Sequence, residues 1–328
     1  MIISSIKEKD NNETRISLTP SIVNKLKNEG HTVILEKNYG QRAGYKDEEY
    51  LKVGAIISRS VEEICTQSDI LTQIAPPDSQ LLSLRNKEQL IIADFKKDLS
   101  YKHLPNIKYL HIEKIPRSSV AQSIDIQSTQ ATIRGYAGAL HSLTASSHIA
   151  PQLMTGAATT KACTALVIGA SITGLQAAAV FKRQGCIVTI SDINEQAEEL
   201  AKSIGVSFIK TEKSEEIRKT LADKNFILTA ASSPTGNAPQ IIGKEDLRHI
   251  NSGTIIYDTT ENNIDISENN KKTKDYKFYR NSTAERLFPA TASILWANSI
   301  YNLIKLIITE EDEYDLSLPY IAPTITTT

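Results

Sequence analysis

The residues best suited to chemistry lie in a glycine-containing turn between a β-branched strand and an alanine-rich helix. The strand occupies residues 164–168, and Gly169 follows it where the chain must turn tightly. Gly174, five residues later, allows the helix to lie close to the strand. The N–H groups and the positive dipole end at the start of this helix can bind a pyrophosphate. The pattern therefore predicts a dinucleotide-binding turn built from Gly169, Ser171, Ile172, Thr173 and Gly174.

An acidic residue stands at the end of the next predicted strand. Asp192 follows Gly169 by 23 residues, close to the spacing at which a carboxylate accepts hydrogen bonds from an adenosine ribose. The same negative charge repels the 2′-phosphate of NADP(H), so the sequence favours NAD(H). We expect three more residues to line the site: Ile193 after this strand, and Ala230 and Ala231 after the strand that ends at Thr229.

The turn departs from the G-x-G-x-x-G pattern at its second glycine, which is replaced by Ser171. A side chain at this position narrows the space for a pyrophosphate, although a serine hydroxyl can donate a hydrogen bond to phosphate. The alternative interpretation is a doubly wound domain that keeps the turn for packing alone.

A second polar segment, residues 114–128, falls at the predicted junction of two domains, where cofactor clefts are common. Arg117 can bind a carboxamide oxygen or a phosphate, and Gln122 can both donate to and accept from an amide. Asp125 can accept hydrogen bonds from ribose hydroxyls. Taken from the residues alone, however, Asp125 and Ser128 are better explained as ordinary residues of a helix start.

The elements that must position these residues occur twice along the chain. In each copy a helix ends at a glycine, a β-branched strand follows, and a second helix ends at another glycine. The matching positions are Gly30 and Gly185, Gly54 and Gly205, strands that end at Thr72 and Thr229, and strands that end at Asp94 and Asp258. Short apolar strands alternating with helices predict parallel sheets covered on both faces. We therefore predict an α/β protein of two doubly wound, Rossmann-like domains joined by long helices.

Two apolar helical stretches predict how the domains are connected. One runs from about residue 120 to 150 and the other from 292 to 308. The chain then crosses to the second domain and returns, so that its last residues complete the first. The expected boundaries are 1–125 plus 305–328 for the first domain, and 126–304 for the NAD(H)-binding domain with its flanking crossover helices.

The composition argues against several classes of function. The 328 residues include 37 Lys+Arg against 38 Asp+Glu, a formal net charge of −1, unlike a nucleic-acid binder with a broad basic surface. No apolar run approaches the ~18–20 residues of a membrane span. Three cysteines and six histidines show neither a disulfide framework nor the spacing of metal ligands. We expect no bound metal, no direct membrane insertion and a cytoplasmic location.

Taken together, three further motifs and the glycine turn resemble the NAD(H)-binding component of proton-translocating nicotinamide nucleotide transhydrogenase, a relative of alanine dehydrogenase. The segment from Glu13-Thr14-Arg15 to Pro20 is similar to the E-T-R opening of both families. The run from Arg117 through Gln122 to Asp125 resembles the Arg-Gln-Asp loop of the transhydrogenases, and residues 287–293 resemble their L-P-x-x-S segment. The resemblance covers nearly the whole chain.

The resemblance implies an oxidoreductase, the alpha subunit of a Re/Si-specific, proton-translocating NAD(P)+ transhydrogenase. Such a subunit binds NAD(H), forms a homodimer and passes hydride from NADH to NADP+ held on a partner subunit. The partner and membrane subunits would be separate chains, which would hold this cytoplasmic protein at the inner membrane. The resemblance assigns the nicotinamide half of the cofactor to Arg117, Gln122 and Asp125, as both catalytic and cofactor-binding residues, and to Ser128 as a further cofactor-binding residue. The glycine turn and Asp192 would hold the ADP half.

Two alternatives remain open at this point. A free-standing NAD-dependent amino- or keto-acid dehydrogenase would use Arg15 to anchor a carboxylate and would need acid and base groups beside the nicotinamide. The segment from Gln73 to Pro76 lacks the lysine of the alanine dehydrogenase K-x-K-E-P motif, whereas exchange between two nicotinamides needs only placement and electrostatics. The second alternative is a catalytically idle nucleotide-binding module. Two departures from the family pattern favour it: Ser171 in the glycine turn, and the segment 258–265.

Overall fold

The computed structural model describes residues 1–83, 88–97, 104–211, 214–232, 238–268, 270–273, 275–309 and 313–327. The chain forms two compact units: a first unit of residues 1–130 and 286–328, and a second unit of residues 131–285. The strands are β1 (Ile2–Ser5), β2 (Thr32–Glu36), β3 (Ile56–Ser58), β4 (Ile70–Thr72), β5 (Gln89–Ala93), β6 (Ile107–His111), β7 (Thr164–Ile168), β8 (Ile187–Asp192), β9 (Ser207–Lys210), β10 (Phe226–Thr229), β11 (Thr254–Asp258), β12 (Asn270–Lys272), β13 (Tyr276–Arg280) and β14 (Ile325–Thr327). The α-helices are α1 (Pro20–Asn28), α2 (Asp47–Lys52), α3 (Val61–Gln67), α4 (Ser79–Leu82), α5 (Ile126–Ala145), α6 (Ile172–Arg183), α7 (Ala197–Ser203), α8 (Ser214–Leu221) and α9 (Pro289–Ile307).

Each unit contains one sheet, and the six parallel strands follow the same order in both; the antiparallel edge strand comes from the end of the chain in the first sheet and immediately precedes its partner in the second. The described strands of the first unit follow the order β14-β6-β5-β4-β1-β2-β3, and those of the second follow β12-β13-β11-β10-β7-β8-β9. All neighbouring strands are parallel except the edge pairs β14–β6 and β12–β13. The predicted fold, two doubly wound α/β domains with parallel sheets, is confirmed.

The internal repeat extends to single residues. Gly30 and Gly185 end corresponding helices with φ of +89° and +87°, a conformation that favours glycine. One predicted match is wrong in register: Asp94 is not the counterpart of Asp258. Thr72 pairs with Ile92 in the first sheet, whereas Thr229 pairs with Asp258 in the second, so the strands correspond with a shift of two residues.

Helix α6 positions the glycine turn of the second unit. It begins after Ser171, and its alanine-rich sequence buries Ala177, Ala178 and Phe181 in a core cluster against the strands of the sheet. Small side chains on this face let the helix lie close to β7. Basic residues in the last turn, Lys182 and Arg183, are favourable at the negative end of the helix dipole.

The observed division of the chain differs from the predicted boundary at residue 304. Helix α9 belongs to the first unit, because Trp296, Ile300 and Leu303 are fully or almost fully buried in that unit's core cluster. The apolar pattern of α9 shows that the helix is buried but not which sheet covers it. No helix in the described part of the chain combines the length and apolar character needed to cross a membrane.

Candidate functional site

The glycine turn of the second unit is too tightly packed for side chains at either glycine. Gly169 has φ of +100°, and a Cβ atom on it would lie 2.6 Å from the Ala231 nitrogen. A Cβ atom on Gly174 would lie 1.9 Å from the Gly169 carbonyl oxygen. The turn therefore requires glycine at both positions, for the reasons that the sequence pattern suggests.

Ser171 takes the place of the central glycine without backbone strain. Its φ of −64° and ψ of 169° are accessible to any residue, and its hydroxyl accepts a hydrogen bond from the Gly174 N–H as the cap of α6. The same hydroxyl donates to the Ala230 carbonyl oxygen at 2.7 Å. Because Ser171 satisfies the Gly174 N–H, the N–H groups of Ile172 and Thr173 are the ones that the helix start offers to an anion.

Asp192 joins the turn to the end of β8. One carboxylate oxygen accepts the Ala170 N–H at 2.6 Å, and the other accepts the Asn194 N–H at 2.9 Å. Each carboxylate oxygen can accept a further hydrogen bond, so the half-buried side chain fits the hydroxyls of an adenosine ribose. Ile193, beside it, is 71% exposed.

Residues 230 and 231 continue the chain beyond β10 beside the glycine turn. Hydrogen bonds with β7 and with Asn263 hold them in place. The Ala230 N–H donates to the Ile168 carbonyl oxygen at 2.8 Å. The side-chain amide of Asn263 binds both backbone groups of Ala231 at 3.0 Å and donates to the Pro239 carbonyl oxygen at 2.7 Å. Asn263 is fully buried. Sequence reasoning missed it, because an asparagine beyond a strand end carries no signal for a contact 32 residues away.

A buried ion pair holds the segment that carries Asn263. The Asp258 carboxylate is inaccessible to solvent and accepts hydrogen bonds from Thr229 at 2.9 Å and from the Arg280 guanidinium at 3.1 Å. Arg280 also donates to the carbonyl oxygens of Ile264 and Ile266. The segment 258–265, which differs in sequence from the pattern that the resemblance implies, is thus tied to the sheet.

The loop that precedes α5 belongs to the first unit, and it contains the other predicted site residues. Asp125 is buried and caps α5, accepting both the Ser128 N–H at 3.0 Å and the Ser128 hydroxyl. Arg117 and Gln122 lie in the same loop with exposed side chains. Asp125 and Ser128 therefore bond to each other at the start of α5, whereas the side chains of Arg117 and Gln122 are accessible to a ligand.

Arg15, the carboxylate anchor of the dehydrogenase alternative, is engaged within the first unit. Its guanidinium donates to the Glu13 carboxylate at 2.7 and 2.8 Å and to the Gln130 side chain at 3.0 Å. A polar cavity of about 200 Å³ borders it. The other cations on that cavity are also paired: Lys7 with Glu36 at 2.8 Å, and Arg42 with the Asp10 carbonyl oxygen at 3.0 Å.

No group of three or more potential metal ligands occurs among the described residues.

Comparison with known proteins decides the family. The N-terminal domain of the alanine dehydrogenase/PNT family matches residues 5–134, and its C-terminal domain matches residues 138–327. The chain belongs to this family. The family resemblance predicted from the sequence is thereby confirmed.

Individual relatives agree with this assignment. The NAD(P) transhydrogenase subunit alpha of Haemophilus influenzae is 27% identical, covering 95% of this chain and 67% of the relative. A Staphylococcus saprophyticus alanine dehydrogenase is 25% identical, covering 79% of this chain and 71% of the relative. The crystal structure of a transhydrogenase from Sinorhizobium meliloti superposes with a TM-score of 0.91 at 25% identity, covering 100% of this chain and 98% of that one.

The packing of the turn predicts the effect of adding one methyl group. We expect Gly174→Ala to lower the free energy of unfolding by about 1–3 kcal/mol, because the new Cβ atom must displace the Gly169 carbonyl. It should also weaken NADH binding by about tenfold or more, since the carbonyl belongs to the turn itself. Thermal unfolding and fluorescence titration with NADH measure the two effects.

Gly243→Ala is the matched control, because its Cβ atom would lie 3.4 Å from its nearest neighbour, the Asp246 carboxylate, which is an ordinary van der Waals contact. This variant should unfold and bind NADH like the unmodified protein. If Gly174→Ala binds NADH as tightly as the control, the turn does not hold the nucleotide.

Proposed function

We propose that this protein is the NAD(H)-binding subunit of a nicotinamide nucleotide transhydrogenase. The observation that carries the proposal is the glycine turn with Asp192 on the second unit, built at the carboxyl ends of parallel strands where such folds bind nucleotides. The high structural similarity to a transhydrogenase along the entire chain supports the same function.

The residues present fit NAD(H). The start of α6 has no acidic side chain in its first turn, so its N–H groups and dipole favour a pyrophosphate. Asp192 accepts hydrogen bonds from the adenosine ribose and disfavours a 2′-phosphate. We assign Arg117, Gln122, Asp125 and Ser128 to the nicotinamide half, on the family resemblance of their loop and on the exposure of Arg117 and Gln122.

The chemistry requires placement rather than proton transfer. When bound, NADH supplies a hydride that passes directly to the nicotinamide of NADP+ on the partner subunit. The protein would then have to hold the nicotinamide ring in one orientation. Gln122 would do so by hydrogen bonds and Arg117 by a charge contact. No general acid or base is needed for this transfer.

The first unit gives little support to an amino-acid dehydrogenase. Reversible deamination needs a proton-transferring group beside the substrate. The segment from Gln73 to Pro76 has no lysine, and Gln73 is a buried amide whose nitrogen donates to the Ile6 carbonyl oxygen at 3.0 Å. Arg15 already bonds to Glu13 and Gln130, so a substrate carboxylate would have to displace a bidentate ion pair.

Isotope transfer tests the proposed function. We mix the protein with an NADP(H)-binding transhydrogenase subunit, NADH deuterated at nicotinamide C4, and NADP+. Deuterium should appear in NADPH, as read by mass spectrometry, and Gln122→Ala should slow its appearance by about tenfold because a positioning hydrogen bond is lost. Ser123→Ala, an exposed neighbour in the same turn, should leave the rate unchanged.

Two other results, the second from a separate assay with alanine and NAD+, separate the alternatives. Tight NADH binding without deuterium transfer would identify an idle nucleotide-binding module. Formation of NADH from alanine and NAD+, abolished by Arg15→Ala, would identify a dehydrogenase instead.

The assembly we propose is a homodimer that works with NADP(H)-binding and membrane subunits on separate chains, at the inner membrane. A hairpin arm of the second unit, residues 149–163, supports the homodimer. Every residue from 152 to 161 is exposed, Met154 to 80%, and no charged residue occurs between 149 and 160. Because an isolated two-stranded hairpin is marginally stable in water, an uncharged, ordered arm is expected to be covered by a second copy of the chain.

The arm predicts which substitution separates the protomers. By light scattering after size exclusion, the unmodified protein should have the mass of two 36.2 kDa chains. Met154→Glu should yield single chains, because the interface would have to bury a charge. Leu51→Glu adds the same charge at an exposed leucine of the first unit and should remain dimeric. A monomeric unmodified protein, or a dimeric Met154→Glu variant, would contradict the role of the arm.

A further inference from the structure

The Glu13-Thr14-Arg15 motif lies in the first unit, and its two charged side chains are deeply buried. Glu13 and Arg15 are each 2% exposed. Burying a carboxylate and a guanidinium is costly unless the geometry of their partners is strict. The location of those partners therefore indicates what the motif does.

All three motif residues contact the chain at the points where it leaves and re-enters the first unit. That unit ends at Gln130 and resumes at Arg286. Arg15 donates to the Gln130 side-chain oxygen at 3.0 Å. Thr14 donates to the Arg286 carbonyl oxygen at 2.6 Å, and the Glu13 carboxylate lies 3.0 Å from the Arg286 guanidinium.

The Arg15 guanidinium is itself fixed in position. Two of its nitrogens bond to the two Glu13 carboxylate oxygens, a planar arrangement that sets the direction of the third. It also lies 5.3 Å from the centre of the Trp296 ring, within cation–π range. The Arg15 guanidinium therefore has little freedom to move, and it donates to Gln130 from a fixed position.

Gln130 transmits this position to the start of α5. Its side-chain nitrogen donates to the Ala292 carbonyl oxygen of α9 at 3.1 Å, so its amide is held at both ends. Gln130 lies five residues after Asp125, which caps α5 through Ser128. Because Gln130 restrains the first turns of α5, it also restrains the end of the preceding loop, which carries Gln122 and Asp125.

We propose that Glu13-Thr14-Arg15 is a clasp that fixes both crossing segments of the first unit, and that Arg15 and Gln130 are positioning residues for the loop 117–128. The inference rests on the proposed function in one respect, namely that this loop contacts the nicotinamide half of NAD(H). The clasp itself acts whether or not a nucleotide is bound. Arg15 thus serves the cofactor site through the backbone and not by binding a substrate.

Gln130→Met tests the clasp with little risk to folding, because it removes the side-chain hydrogen bonds to Arg15 and Ala292 but keeps a long side chain without adding charge. In the protein without nucleotide, amide hydrogens of residues 125–130 should exchange about tenfold faster, since a hydrogen bond to a charged group is lost. Amides of α6 should exchange at unchanged rates. This measurement does not depend on NADH, so it separates failure of the clasp from failure of the proposed function.

Ligand binding tests the consequence for the site. Gln130→Met should weaken NADH binding about tenfold, and binding of ADP-ribose, which lacks the nicotinamide, should stay within about twofold. Gln130→Glu retains an acceptor for Arg15 and should restore most of the amide protection. Gln67→Met, at an exposed glutamine of α3, should behave like the unmodified protein.

Two results would overturn the inference: unchanged amide exchange at 125–130 in Gln130→Met, or equal weakening of NADH and ADP-ribose. If the unmodified protein binds neither ligand but amide exchange responds as expected, the clasp stands and the proposed function fails.

Discussion

The hydrogen bond from the Ala170 N–H to the Asp192 carboxylate is the contact on which the proposed nucleotide site depends. It forms because β7 and β8 are parallel and in register, with Ile168 opposite Ser191, which brings the turn after one strand beside the last residue of the next. The absence of space at Gly169 and Gly174 then fixes where α6 starts. The carboxylate proposed to bind the ribose, the start of α6 and the extension of β10 all lie at this one corner of the sheet.

The first unit retains the same contact without the glycine turn. There the Lys7 N–H donates to the Glu36 carboxylate at 2.7 Å, but the Lys7 ammonium also pairs with that carboxylate at 2.8 Å. The adjacent strand ends are closed by hydroxyl groups, since Ser5 and Ser17 both donate to the Thr72 carbonyl oxygen. In the second unit the helix start and the Asp192 carboxylate are the groups proposed to bind a nucleotide, whereas in the first unit the corresponding carboxylate, Glu36, is paired with the chain's own lysine.

Local patterns predicted the parts of the molecule that depend on nearby residues. The glycine turn, Asp192 and the repeated strand–helix order can be read from short stretches, and the strand order of both sheets confirms the fold. Asn263, Gln130 and the unit to which α9 belongs could not be predicted. Each depends on contacts between distant segments, such as Arg15 with Gln130 across 115 residues, for which the sequence has no periodic signal. The E-T-R motif was visible in the sequence, but the role that we propose for it rests on partners that only the structure gives.

Nucleotide preference is the measurement that tests the central claim most directly. Dissociation constants of NADH and NADPH should be determined for the unmodified protein and for Asp192→Asn, which removes the charge but keeps an oxygen for the Ala170 N–H. The account predicts that NADH binds at least about a hundredfold more tightly than NADPH, and that Asp192→Asn reduces this ratio by about tenfold or more. Equal affinity of the unmodified protein for both nucleotides would contradict it.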